Sequence, residues 1–132
     1  MEKTQIKVRF TIYDDLILNH QEITNIIGWE PTFICNKGEL IRKDTYQKQS
    51  AWVYSTEYTN SLYVDTILNT FIQMLEPIVL PLSKYLKENG LKTIFAISLK
   101  ISDNQPPSHL LPKRFIHLCS LLDADIDTDI NL

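Results

Sequence analysis

The sequence predicts an α+β domain: a largely antiparallel sheet with its helices on one side, in the ferredoxin-like order strand, helix, strand, strand, helix, strand, extended by a further helix and strand. Three observations lead there. A period of two marks strands at residues 6–12, where apolar and polar side chains alternate, and 93–101, where Phe95, Ile97, Leu99 and Ile101 fall on one face. Between them lies a long run in which apolar residues recur with the period of a helix face. The length, 132 residues, is that of one domain able to bury roughly two thirds of its unfolded surface, so residues 1–132 are read as a single globular unit.

In chain order, Ile6, Val8, Phe10 and Ile12 alternate with Lys7, Arg9 and Thr11, as in a strand with one buried and one wet face, and Asp14-Asp15 end it. Asn19 suits the cap of a short helix over residues 21–27, with Ile23, Ile26 and Ile27 inward and Gly28 closing it. Trp29-Glu30-Pro31 opens an extended segment whose residues 32–35 are a short strand candidate. Asn36-Lys37-Gly38-Glu39 has turn chemistry, and the polar residues from there to Ser50 read as a mobile connection without regular structure. Residues 51–57 read as a strand with Trp52 and Tyr54 on one face and Val53 on the other, and Thr59, Asn60 and Ser61 as a turn.

The long helical stretch follows. Val64, Ile67, Leu68, Phe71, Ile72 and Leu75 form one stripe, and Ile78, Val79, Leu82, Tyr85 and Leu86 carry it past Pro77 and Pro81. Proline removes a backbone donor, so two helical pieces packed on one surface are expected, ended by Gly90. Phe95, Ile97, Leu99 and Ile101 then share one strand face. Residues 102–108, with Pro106-Pro107, read as an exposed loop. Pro112 fits the first turn of a helix whose inner stripe is Phe115, Leu118, Cys119 and Leu122. In the terminal strand, Asp123, Asp125, Asp127 and Asp129 alternate with Ala124, Ile126, Thr128 and Ile130, which places four carboxylates on one face and the apolar set on the other.

Thirteen basic against 16 acidic residues leave a net charge of −3, which offers no broad attraction to nucleic acid or anionic lipid. Residues 1–10 alternate charge with apolarity instead of forming a signal core, and the longest apolar run, residues 78–82, is broken by proline, so a soluble cytoplasmic chain is expected, without a membrane partner. Two cysteines, Cys35 and Cys119, are too few for a disulfide framework and fit a reducing compartment.

Several elements in order, Gly28-Trp29-Glu30-Pro31, the Lys37-Gly38 turn, the Trp52 strand, Leu75-Glu76-Pro77 and the alternating aspartate strand over residues 122–130, resemble the bacterial family named domain of unknown function 4279. The likeness covers nearly the whole chain. Asp123 departs from it, since the family often has glycine there. The resemblance implies a fold and no settled activity. Some members sit beside toxin genes, which points by association to an immunity role.

The aspartate strand is the first candidate for function. Same-face neighbours on a strand stand roughly 6.5–7 Å apart, too far for two of these carboxylates to hold one small ion, so no metal is expected there. An acidic surface of this kind suits a basic partner such as a cationic toxin. The plainer explanation is a solvated strand whose charges discourage edge-to-edge association. Trp29 and Trp52 are read as core in preference to partner anchors. His20, His109 and His117 lack metal-ligand spacing, Cys119 faces inward on its helix, no Gly-x-Ser-x-Gly elbow occurs, and the three glycines build no phosphate cradle, so neither catalytic residues nor a cofactor are expected. Lys37, Arg42, Lys43 and Lys48 with Tyr46 form a basic patch that Glu39 and Asp44 dilute, and it reads as a solvated loop rather than a nucleic-acid surface. These features favour a non-enzymatic protein-binding module acting through Asp123, Asp125, Asp127 and Asp129. The rival is an enzyme or small-ligand domain with a pocket between the sheet and the 37–50 connection.

Overall fold

The computed structural model describes residues 3–132. Its centre is strand β1 (Gln5–Asp14), the long alternating segment. Strand β5 (Ser50–Ser55) pairs antiparallel along one side of β1 and β7 (Lys92–Lys100) along the other. Beyond β5 lies β2 (Phe33–Cys35), also antiparallel, and beyond β7 lies β8 (Asp125–Asn131), parallel to its neighbour. The sheet order β2-β5-β1-β7-β8 is thus the split ferredoxin-like sheet with one parallel strand added through a helical crossover. Thr59–Asn60, expected as a turn, makes a two-residue strand, β6, beside the start of β1.

One face of every inner strand is spent on the core. Ile6, Val8, Phe10 and Ile12 are fully buried, and the register sets Phe10 opposite Phe95, Val8 opposite Ile97 and Ile12 opposite Trp52. Helix α1 (His20–Ile27) is capped by the Asn19 side chain, which accepts from the Glu22 N–H at 3.1 Å, and it ends on Gly28 at φ 80°. Helix α2 (Val64–Leu75) passes through a 3₁₀ turn (Glu76–Ile78) into α3 (Val79–Asn89), so the break expected from the prolines falls once. Pro77 occupies that turn and Pro81 the first turn of α3, where an N–H has no intrahelical partner. This helical run, Val64–Asn89, has 26 residues and by length and composition alone would suffice to cross a membrane. Here its stripe of Leu68, Phe71 and Leu75 lies buried against the sheet.

Helix α4 (Lys113–Leu122) begins directly after Pro112 and buries Phe115, Leu118, Cys119 and Leu122, the expected stripe. Phe95 is the hub of the core, with ring centroids 4.8 Å from Phe10, 4.9 Å from Phe115 and 5.8 Å from Phe71. Such tilted and edge-on pairs add roughly 0.5–1.5 kcal/mol each beyond their burial. Trp52 is also core, its indole N–H donating to the Thr24 hydroxyl at 3.0 Å. Trp29 is not: it stays 37% exposed, edge-on to Tyr54 at the sheet margin.

Three further expectations are corrected. The 37–50 connection is not irregular: β3 (Leu40–Arg42) and β4 (Thr45–Tyr46) form a small hairpin turning through Asp44 at φ 57°. Its strands are too short and too exposed to show alternation. Asp123 does not belong to the last strand; at φ 52° it is the left-handed C-cap of α4, its N–H facing the Cys119 and Ser120 carbonyls. That is the conformation glycine adopts most easily, which accounts for the residue at which the chain departs from the pattern it resembles. The apolar side of β8 is not buried: Ile126 is 38% and Ile130 62% exposed, because an edge strand outruns the helices that cover the inner strands.

Candidate functional site

With all helices on one side, the other face of the sheet carries the polar half of each alternation. The register reads across it in rows. Asp127 stands beside Ala96, then Arg9, then Ser55; Asp125 beside Ile94, Thr11, Val53 and Phe33; and Asp129 beside Ser98 and Lys7. Asp125, Asp127 and Asp129 are exposed and project from this helix-free face, whereas Asp123 sits apart at the end of α4. No lysine or arginine among the described residues reaches ion-pair distance of the three.

On the opposite side of the face the β3–β4 hairpin stands over the sheet and encloses a cleft of about 780 Å³. Ala51, Val53 and Ser55 of β5 with Thr11 and Arg9 of β1 form its floor, Phe33 and Cys35 of β2 and Ile41 and Tyr46 of the hairpin its walls, and Thr56, Glu57 and Tyr58 one end. The hairpin is anchored from both ends. The Lys37 N–H donates to the Ser50 hydroxyl at 2.9 Å, the Gln47 N–H to the Glu39 carbonyl at 2.8 Å, and the Asn36 N–H to the Glu39 carboxylate. Gly38, at φ 90°, makes the turn that lets its N–H reach the Gln47 carbonyl. At the other end the Thr56 hydroxyl accepts from the Val8 N–H at 3.1 Å, fixing the exit from β5.

The cleft has an uneven charge distribution. Among the described residues, Lys7, Arg9 and Lys48 line it against one acid, Glu57. The Lys7 ammonium lies 5.2 Å and the Lys100 ammonium 4.0 Å from the centre of the Tyr58 ring, so one aromatic ring gathers two cations. Burial pushes the Cys35 thiol up, and the nearby Glu39 charge raises it further against a lowering hydrogen bond from Ala51. The thiol therefore stays protonated near neutral pH and is a weak nucleophile.

The remaining sequence candidates are dispersed. His20 meets the Cys35 carbonyl at 2.9 Å, His109 meets the Thr128 hydroxyl at 3.2 Å, and His117 lies exposed on α4. Among the described residues no three His, Cys, Asp or Glu side chains are grouped to hold a metal. Lys7, Arg9 and Tyr58 were not singled out by sequence reasoning. A usable signal existed, because the alternation that buries Ile6, Val8 and Trp52 must turn Lys7, Arg9 and Val53 to the other face.

Compared with known families, residues 4–132 match the family described as domain of unknown function (DUF4279), and the chain belongs to it. No curated protein and no solved structure matches it.

Proposed function

We propose that this DUF4279 chain is a non-catalytic binding domain whose ligand occupies the cleft between the helix-free sheet face and the β3–β4 hairpin. The observation that carries this reading is the cleft itself, about 780 Å³ and within the usual range of small-molecule sites, in which an apolar patch of Phe33, Ile41, Ala51 and Val53 adjoins polar groups such as Thr11, Arg9, Gln47 and Ser55. Its ionisable groups among the described residues are cations, one glutamate, two tyrosines and a protonated thiol, which favours holding a ligand over transforming one. The test is amide NMR of the whole chain titrated with a panel of small organic acids, amines and alcohols. Shifts gathered at Thr11, Val53 and Tyr46 are expected. Hits gathered instead along β8, or in the hollow of about 590 Å³ between the start of α1 and Ile34, overturn the reading.

A second reading has one specific observation behind it. Asp125, Asp127 and Asp129 point the same way from an exposed edge strand and lack a cation of the chain's own among the described residues, which suits docking of a basic protein of the toxin type.

A further inference from the structure

We infer that the cleft selects an amphiphilic anion, a small molecule with a carboxylate or phosphate head and an apolar body; this rests on the cleft being the ligand site. The register of β1 against β5 gives the cleft a polarity along its length. At one end Val53 lies opposite Phe33 and Ala51 opposite Cys35, and Val53 is only 7% exposed while Phe33 and the hairpin's Ile41 remain about half exposed. At the other end Arg9 lies opposite Ser55, Lys7 comes next along β1 on the same face, and Tyr58 holds the ammonium groups of Lys7 and Lys100 against its ring.

Lys7 and Arg9, two positions apart on one strand, stand roughly 6.5–7 Å apart at their backbones, a span that long side chains close easily around one head group. Among the described residues neither forms an ion pair, and Glu57 is the single acid in the lining. A concave site with low-dielectric walls focuses such a field and favours anions over neutral or cationic analogues. Half-exposed Phe33 and Ile41 offer apolar area that a hydrocarbon or ring would remove from water at about 25 cal/mol per Å². A head without a body, or a body without a head, forgoes one of the two contributions.

The experiment is calorimetric titration of the folded chain with octanoate, octan-1-ol, octylammonium and acetate, paired with amide NMR to locate each. Octanoate is expected to bind at the cleft, with the alcohol and the amine weaker by about tenfold or more for want of a charge-assisted contact, and acetate weaker by about tenfold or more for want of apolar burial. In the double variant Lys7→Gln, Arg9→Gln octanoate is expected to fall to the level of octanol while octanol is unchanged. Equal binding of octanol and octanoate in the wild type, or tighter binding of octylammonium, overturns the anion selectivity but leaves the cleft as a site. Binding of every probe away from the cleft overturns the cleft itself, and absence of octanoate binding up to millimolar concentration overturns the inference. Lys7 and Arg9 point away from the core, so the double variant is expected to fold, and a circular dichroism melt checks that it does.

Discussion

The two faces of the sheet are built from the same strands and do opposite work. On the helix side of β1, Ile6, Val8, Phe10 and Ile12 are fully buried under α2 and its neighbours, and Phe95 joins three other rings. On the other side of the same strand, Lys7, Arg9 and Thr11 face the cleft. The period of two therefore separates buried from cleft-facing side chains residue by residue, and if the cleft is the proposed binding site, a substitution should affect stability or binding according to its parity.

The strongest way to break that comparison is Phe95→Ala against Arg9→Ala. Removing the hub ring is expected to cost about 3–5 kcal/mol in urea unfolding, whereas Arg9→Ala is expected to stay within about 0.5 kcal/mol. Comparable losses would mean that the open face also holds the fold together. The covered side also has a pH signature. Burial raises the Cys119 thiol from its ordinary 9.0 to about 12, so the unfolded chain releases this proton before the folded one does. The thiol's contribution is complete below pH 9 and is lost as pH rises toward 12. Melting temperature should therefore fall more steeply from pH 8 to 10 in the wild type than in Cys119→Ala, although the variant starts lower at pH 7. Parallel slopes would remove Cys119 as the cause.

A smaller effect is expected where the covered face gives way to the edge strand. Asp123 holds a left-handed conformation that glycine adopts freely, so Asp123→Gly should stabilise the fold by up to about 1 kcal/mol. A loss would show that the Asp123 side chain contributes to the cap. Smallest in stability is the triple change of Asp125, Asp127 and Asp129 to Asn, expected to stay within about 0.5 kcal/mol because all three are exposed. The same variant should bind polylysine more weakly, the difference shrinking as salt rises. Unaltered polylysine binding would count against any role for β8 in docking cationic partners.

Much of the fold could be read before any coordinates. The alternation in β1 and β7, the stripes of α2, α3 and α4, the Asn19 cap and the Gly28 and Gly90 stops are local patterns, each recorded in a few neighbouring residues. The hairpin at Leu40–Tyr46 was not legible, since strands of three and two residues with no buried side carry no period. Nor was Trp29, whose exposure depends on where the sheet margin falls.

By itself, then, the sequence determined the element order, the buried stripes and which charges share a strand face, because those follow from backbone period and side-chain chemistry over short distances. Tertiary structure alone decided that β8 would lie parallel at the edge with Ile126 and Ile130 in water, that Asp123 would end a helix instead of joining a row of carboxylates, and that the hairpin would close a cleft over Val53 beside Lys7 and Arg9. Those outcomes depend on which strands become neighbours and how far the helices reach, and a pairing such as Arg9 with Ser55, residues far apart along the chain, leaves no local trace.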